Sequence, residues 1–356
     1  MIKNTEFVSG GADYVSALIS EGIKNGSRTA TVTGKYEIDK PIRIPSNFTL
    51  ILDNCHLRQA DGSFTNIFVN EHHDTEIGKT LSGCDKNINI IGRGEAILDG
   101  GEYNGLSEKT QNQNGLPPVW KNNLILFTNV EGFEIRRISA INQRWWAFCF
   151  VYARCGRISD VDFCSTDIGV AEDGTRYRGL KRKAYKEALV KNSDGIDLRV
   201  GCQNIVIENV SGFTEDDTVA LTALSWYLEK HFFVDGLSTD ISNVEIRNVS
   251  SSAYCSNVRL LNQGEHKVHD IYIEGVYDTS KDSPHMDVGA CGVRIGDSTH
   301  MYGTRASTAD ETYNITVRKV HSRAIHSLSL SGAIANLVIE DISTFDGGGD
   351  IEDLRV

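Results

Sequence analysis

Four aspartates crowd two short stretches of this chain. "NSDGIDLRV" runs from Asn192 to Val200 and "TEDDTVAL" from Thr214 to Leu221. Asp194 and Asp197 stand in the first, Asp216 and Asp217 in the second, among apolar residues of strand type. Aspartate is depleted in strands, and like charges set side by side repel. Two readings account for that cost. The aspartates are turn residues that hydrogen-bond their own backbone, or they are carboxylates that do chemistry. The chemistry would be general acid–base work. Closely spaced carboxylates resist ionising together, so one keeps its proton while a neighbour stays a base. Glycoside hydrolysis with inversion uses such a pair, roughly 6.5–9.5 Å apart with a water between them.

Whether the two stretches meet depends on the elements that carry them. One pattern recurs along the chain: a polar residue, often Asn, then alternating apolar positions. It reads "KNINIIG" (Lys86–Gly92), "EGFEIRRI" (Glu131–Ile138), "GRISDVDF" (Gly156–Phe163), "QNIVIENV" (Gln203–Val210), "SNVEIRNV" (Ser242–Val249), "HDIYIEGV" (His269–Val276), "YNITVRKV" (Tyr313–Val320) and "ANLVIEDI" (Ala335–Ile342). The residue before the first apolar one falls at 87, 132, 157, 204, 243, 270, 314 and 336. These intervals are close to one or two multiples of a period in the low twenties. Each unit alternates like a strand and is bounded by Gly, Asn or Asp. One such unit cannot bury its apolar face, but stacked units bury a continuous column. The pattern predicts an all-β chain folded as a parallel β-helix. The L-x-x-L-x-L of leucine-rich repeats and the W-D signature of propellers are absent.

An open solenoid end needs a cap. "GADYVSALISEGIKNG" (Gly11–Gly26) sets Tyr14, Val15, Leu18, Ile19 and Ile23 on one helical face, with Gly26 suited to the C-terminus. The expectation is one domain over residues 1–356, with a capping helix at 11–26 and coils from about residue 30 onward. From Asp194 to Asp216 is then one coil. Equivalent positions on adjacent coils lie about 4.8 Å apart, so Asp194 should stack against the Asp216-Asp217 pair. Neighbouring residues of a straight strand face opposite ways, so a bend is required for Asp216 and Asp217 to share a cleft.

Composition narrows the partners. The net charge of −12 argues against nucleic acid or an anionic membrane. No apolar run is long enough to span a bilayer. Met1–Tyr14 lacks the apolar region of a secretion signal, which predicts a cytoplasmic location. The eight cysteines form no C-x-x-C pair and read as reduced structural thiols. The basic stretch "RYRGLKRKAYKEALVK" (Arg176–Lys191) is either a solvated helical face or a rim that attracts an anionic glycan. Of the tryptophans, Trp145 and Trp146 lie in a coil, where at least one belongs to the core. Trp226 and Tyr227 follow the second aspartate stretch in an expected loop and are candidates for stacking on a sugar. "EHHD" (Glu71–Asp74) lacks companions at tetrahedral metal spacing and reads as a surface loop. "GRGEAILDG" lacks the spacing and setting of a nucleotide loop.

Several of these segments together resemble glycoside hydrolase family 28, the polygalacturonase family of right-handed parallel β-helices. "NSDGID" (Asn192–Asp197) is similar to its N-T-D-G-I-D and "EDDTVAL" (Glu215–Leu221) to its G-D-D-C-I-A-I. "GRGEAILDGGEYNG" (Gly92–Gly105) resembles an early G-x-G-x-I-D-G segment, and "INQRWWAFCFVYARCGRISDV" (Ile141–Val161) its N-S-P-x-W … C-x-N-V pattern. The likeness spans roughly residues 92 to 276. It implies an inverting hydrolase without metal or other cofactor. Asp216 would be the general acid, and Asp194 and Asp217 would activate water. Asn192, within the first motif, and Arg259 would contact the carbohydrate. Two departures stand out. "VDGLSTD" (Val234–Asp240) holds no histidine where the family has G-H-G, and His231 lies outside that motif. "RLL" places Leu261 where the family's R-I-K has lysine. The second departure opens the substrate to a neutral sugar or a modified or differently linked uronate. Two other functions stay open on the same solenoid. A polysaccharide lyase or uronate epimerase would need a base with Ca²⁺ or Arg/Lys to neutralise a carboxylate. A non-catalytic glycan-binding module would need no acid at all.

Overall fold

In the computed structural model the described residues are 6–101, 118, 120–143, 145–165, 169–170, 176–177, 194–296 and 305–355. They form a right-handed parallel β-helix, built as two ladders of stacked parallel strands. The long ladder runs through Thr29–Ile38, Phe48–Gln59, Asp85–Asp99, Ile125–Ile141, Trp146–Cys164, Gln203–Thr214, Ile241–Ala253, Val268–Asp278, Thr312–Ser322 and Ala335–Thr344. The short ladder runs through Ile42–Ile44, Phe68–Asn70, the first residues of Ile125–Ile141 and Trp146–Cys164, then Asp194–Leu198, Val219–Ala223, Ser256–Asn262, Cys291–Ile295, His326–Gly332 and Glu352–Arg355.

The core lies between the ladders, and the alternation explains it. Leu50, Ile90, Ile135, Ile158, Ile207, Ile246, Ile273 and Val317 occupy one register position on successive coils, all buried. Ile196, Val219, Val258, Val293 and Leu328 form the matching column of the short ladder. Each like-on-like stack removes apolar surface from water at about 25 cal/mol per Å².

The recurring polar residue has a backbone reason. Asn87, Gly132, Cys155, Asn204, Asn243, Asp270, Asn314 and Asn336 all have φ between 50° and 78°. Each marks a corner of its coil at the long ladder. Asn and Asp tolerate this left-handed conformation better than other side-chain residues, and the stacked amides hydrogen-bond along the column, as from Asn336 Nδ2 to Asn314 Oδ1 at 3.0 Å. Gly132 takes its φ of 78° without the strain a Cβ would bring. The sequence repeat places this corner at position 157, whereas Gly156 pairs with Phe133 and Ile205. The corner is therefore Cys155, hidden because its residue type carries no turn signal.

Helix α1 (Gly11–Lys24) packs Val15 and Ile19 into the core at the first coils. Tyr14 and Ile23, expected on that buried face, remain 40% exposed, and Tyr14 stacks on Tyr36 instead. Gly26 takes φ 77° just beyond the helix. Among the described residues no helix is long and apolar enough to cross a membrane.

Candidate active site

Asp194 opens the strand Asp194–Leu198, and its carboxylate emerges where that strand begins. Ile196 lies opposite Val219 on the next coil. Asp194 therefore lies opposite Asp217, one residue beyond the coil length counted from the sequence, and Gly195 N–H donates to the Asp217 carbonyl at 3.0 Å. Only glycine fits at 195, since a Cβ would stand 2.4 Å from the Thr218 carbonyl oxygen. The required bend exists. Residues 215–218 belong to no strand; they connect Gln203–Thr214 to Val219–Ala223. Asp216 and Asp217 escape strict alternation for that reason. Asp194 Oδ1 accepts from the Asp217 N–H at 3.1 Å. One carboxylate oxygen from each of Asp194, Asp216 and Asp217 lies within 4.8 Å of the others.

Environment separates the three. Asp194 (5% exposed) and Asp217 (9%) are buried, whereas Asp216 is half-exposed. Burial, then the charges of Asp216, Asp197 and Asp217, hold the Asp194 carboxyl well above the usual range. Burial also raises Asp217, but Arg259, Ser256 and Arg294 pull it back. Burial pushes the Cys255 thiol up too, and the carboxylates of Asp216 and Asp217 add to the shift, so this cysteine is no thiolate nucleophile.

Beside the trio lies a fully buried charge network. Burial lifts the Asp197 carboxyl to about 6, against the pull of the Arg199 charge. Arg199 Nε stands 3.1 Å from Asp197 Oδ1 as an ion pair outside hydrogen-bond alignment, and no N–H or O–H among the described residues hydrogen-bonds either oxygen. Arg199 Nη1 also reaches Glu229 Oε1 at 3.3 Å, and its guanidinium lies 4.1 Å above the Trp146 ring.

Of the other residues singled out from sequence, Arg259 is outward-facing and buried, directly opposite Ala220 and Arg294 on the neighbouring coils. Leu261 shares its face, two residues along the strand. Trp226 is half-buried against an apolar cluster in the expected loop, whereas Tyr227 begins a short helix, α2 (Tyr227–His231). Tyr227 is the exposed aromatic of the pair. Trp145 and Trp146 are both buried. Asn192 and most of the basic stretch Arg176–Lys191 lie outside the described residues. His231 pairs with Asp74 at 2.5 Å and stacks on Trp120. Glu71–Asp74 forms a turn whose His72 is held by Asp85 at 2.8 Å. None of the eight cysteines forms a disulfide.

Sequence reasoning missed Arg294, Glu229 and Arg199. For Arg294 a signal was present: "VRI" (Val293–Ile295) repeats "VRL" (Val258–Leu260) on the next coil. For Glu229 none was, because α2 brings it from outside the ladder.

Three close carboxylates can share a proton, position a water, or chelate a divalent cation. A water has two hydrogens, so one water can bridge two of these oxygens up to 4.8 Å apart. No protein-family model matches the chain, and no curated protein matches it. Solved structures do. An exopolygalacturonase from Thermotoga maritima aligns over 96% of this chain and 87% of its own, with TM-score 0.54 and 13% identity. A polygalacturonase from Erwinia carotovora ssp. carotovora aligns over 99% and 95%, with TM-score 0.55 and 12% identity. An iota-carrageenase from A. fortis aligns over 95% and 84%, with TM-score 0.59 and 9% identity. At these identities the likeness is one of fold.

Proposed function

We propose that this protein is a glycoside hydrolase acting on an anionic glycan. The observation that carries the reading is the meeting of Asp194, Asp216 and Asp217 within 4.8 Å on one outward face, beside the stacked cations Arg259 and Arg294. The glycan-hydrolase names of the fold neighbours agree with it. Asp216, the most accessible of the three, protonates the leaving oxygen. Asp217 stays the readiest base because Arg259 and Arg294 favour its ionised form. Asp194, held protonated by burial and by the neighbouring carboxylates, hydrogen-bonds and orients the water that Asp217 deprotonates. Two guanidinium groups suit a carboxylate or sulfate on the sugar, so Arg294 supplies a second cation despite Leu261. Tyr227 and half-buried Trp226 offer aromatic surface nearby in sequence.

A second stereochemical reading rests on the spacing. Oxygens within 4.8 Å lie closer than the roughly 6.5–9.5 Å of most inverting pairs and nearer the 5–5.5 Å of retaining ones. Oligogalacturonides, sulfated galactans and neutral oligosaccharides, each incubated with and without EDTA, separate the possibilities. Inverted product seen by NMR, insensitive to EDTA and lost in Asp216→Asn, is the expected result. Retained configuration would make one aspartate a nucleophile. Ultraviolet-absorbing, EDTA-sensitive product would make the trio a calcium site of a lyase.

A further inference from the structure

The outward face of the short ladder differs on the two sides of the carboxylates. Toward the N-terminus, Asp197 lies opposite Cys149, which lies opposite Leu126. Both are fully buried although they point away from the core between the ladders. What buries them is the segment from Leu224 to Asp240. It leaves the strand Val219–Ala223 and turns back across the face, where Leu228, Phe232 and Val234 pack on Leu126, Cys149 and Val151. Polar and aromatic contacts pin it along its length. Glu229 bonds Arg199 at 3.3 Å, and its Oε2 accepts from the Trp226 N–H at 3.1 Å. The Phe232 ring lies 5.0 Å from that of His73, and His231 reaches Asp74 in the turn after Phe68–Asn70. Toward the C-terminus the same register position continues as Ala220, Arg259, Arg294, Ser329 and Glu352, polar from Arg259 onward, with Arg294 and Glu352 reaching solvent.

We infer that residues 224–240 form a fixed wall that closes the groove on the N-terminal side of the carboxylates, so that a saccharide enters by one chain end and is trimmed from that end. The inference rests on the glycosidase reading for its second half only. The wall is fixed for a physical reason: lifting it would expose an apolar cluster and leave Arg199 and Glu229, both buried, without their mutual charge. A glycan chain lying along the coils can then extend past Arg259 and Arg294 but not past Asp194.

Two measurements on the full chain test it. Cys149 lies beneath the wall, whereas Cys155 is exposed on the same strand. With N-ethylmaleimide and peptide mass mapping, Cys155 should react while Cys149 stays unmodified. Phe232→Ala should speed Cys149 labelling roughly 100-fold through easier local opening, and the milder His231→Gln should speed it less. Cys149 reacting as fast as Cys155 in the unaltered protein overturns the wall. The second measurement is the early product pattern from octagalacturonate carrying a fluorescent reducing-end label. One product length from the first time point, with the remainder shortening stepwise, is expected. A spread of lengths at low conversion overturns end-directed cleavage. Absence of cleavage of this and every other glycan tested removes the hydrolase reading, and the labelling of Cys149 then decides the wall by itself.

Discussion

Two sets of stacked Asn and Asp residues run along this solenoid. At a second line of corners, five residues further along the long strands, Asn209 donates to Asp160 at 2.9 Å and Asn248 donates to Asn209 at 3.1 Å, each in a left-handed conformation near the surface. At the candidate site, Asp194 and Asp217 stack one coil apart, with Asp216 beside Asp217. The residue types are nearly the same and the stacking distance is set by the same ladder. The difference is what answers the side chains. A corner carboxylate meets an amide donor near the surface; at the site three carboxylates meet one another, two of them buried, with Arg259 and Arg294 only partly offsetting the charge at Asp217. The first arrangement is a turn device, the second an unresolved electrostatic conflict. Conflicts of that kind persist where function requires them.

The contrast can be broken most sharply at Asp216. Asp216→Asn should lower turnover about 10²–10⁴-fold while leaving the melting temperature unchanged or higher, since it relieves repulsion. Equal loss of stability and activity would put Asp216 among the structural residues. Next in size is Arg199→Leu. It strands Asp197 and Glu229 as buried charges, and chemical denaturation should show a loss of about 3–5 kcal/mol. An unchanged midpoint would mean the network is not formed.

A smaller effect comes from pH. Asp197 is raised in the fold to about 6, above the unfolded value of about 3.9. A carboxyl raised on folding holds its proton more tightly when native. Its stabilising contribution is therefore full below about pH 3.9 and is lost as pH rises through about 6. Between pH 5 and 8 the melting temperature should fall, and Asp197→Asn should flatten that slope. A slope identical in both proteins would show that Asp197 does not hold its proton more tightly in the fold. The smallest effect belongs to the corners. Asn209→Ala should cost about 1–2 kcal/mol through its left-handed backbone, Asn209→Gly much less, and neither should alter turnover.

Much of this was legible beforehand, and the corners show why. A strand's alternation, its turn residue and the need to stack are local or strictly periodic, so eight recurrences of one pattern were enough to fix a parallel β-helix. The lapse at Cys155, two residues from the expected corner, came where the residue type gave no sign. The aspartate trio was legible for the same reason, because its members are one coil apart.

What the sequence by itself determined, then, is the repeat, the core columns and the identity of the carboxylates that share a face. Tertiary structure decided the rest. It set the register that puts Asp217, not Asp216, opposite Asp194. It formed the bend that lets both point into one site. It brought Arg294 beside Arg259 and carried Glu229 back over the face on α2. The physical reason is that coil lengths and excursions between strands are not periodic. One extra residue in a loop leaves every local preference satisfied yet changes which side chains meet across coils, and only the closed ladder of hydrogen bonds settles that choice.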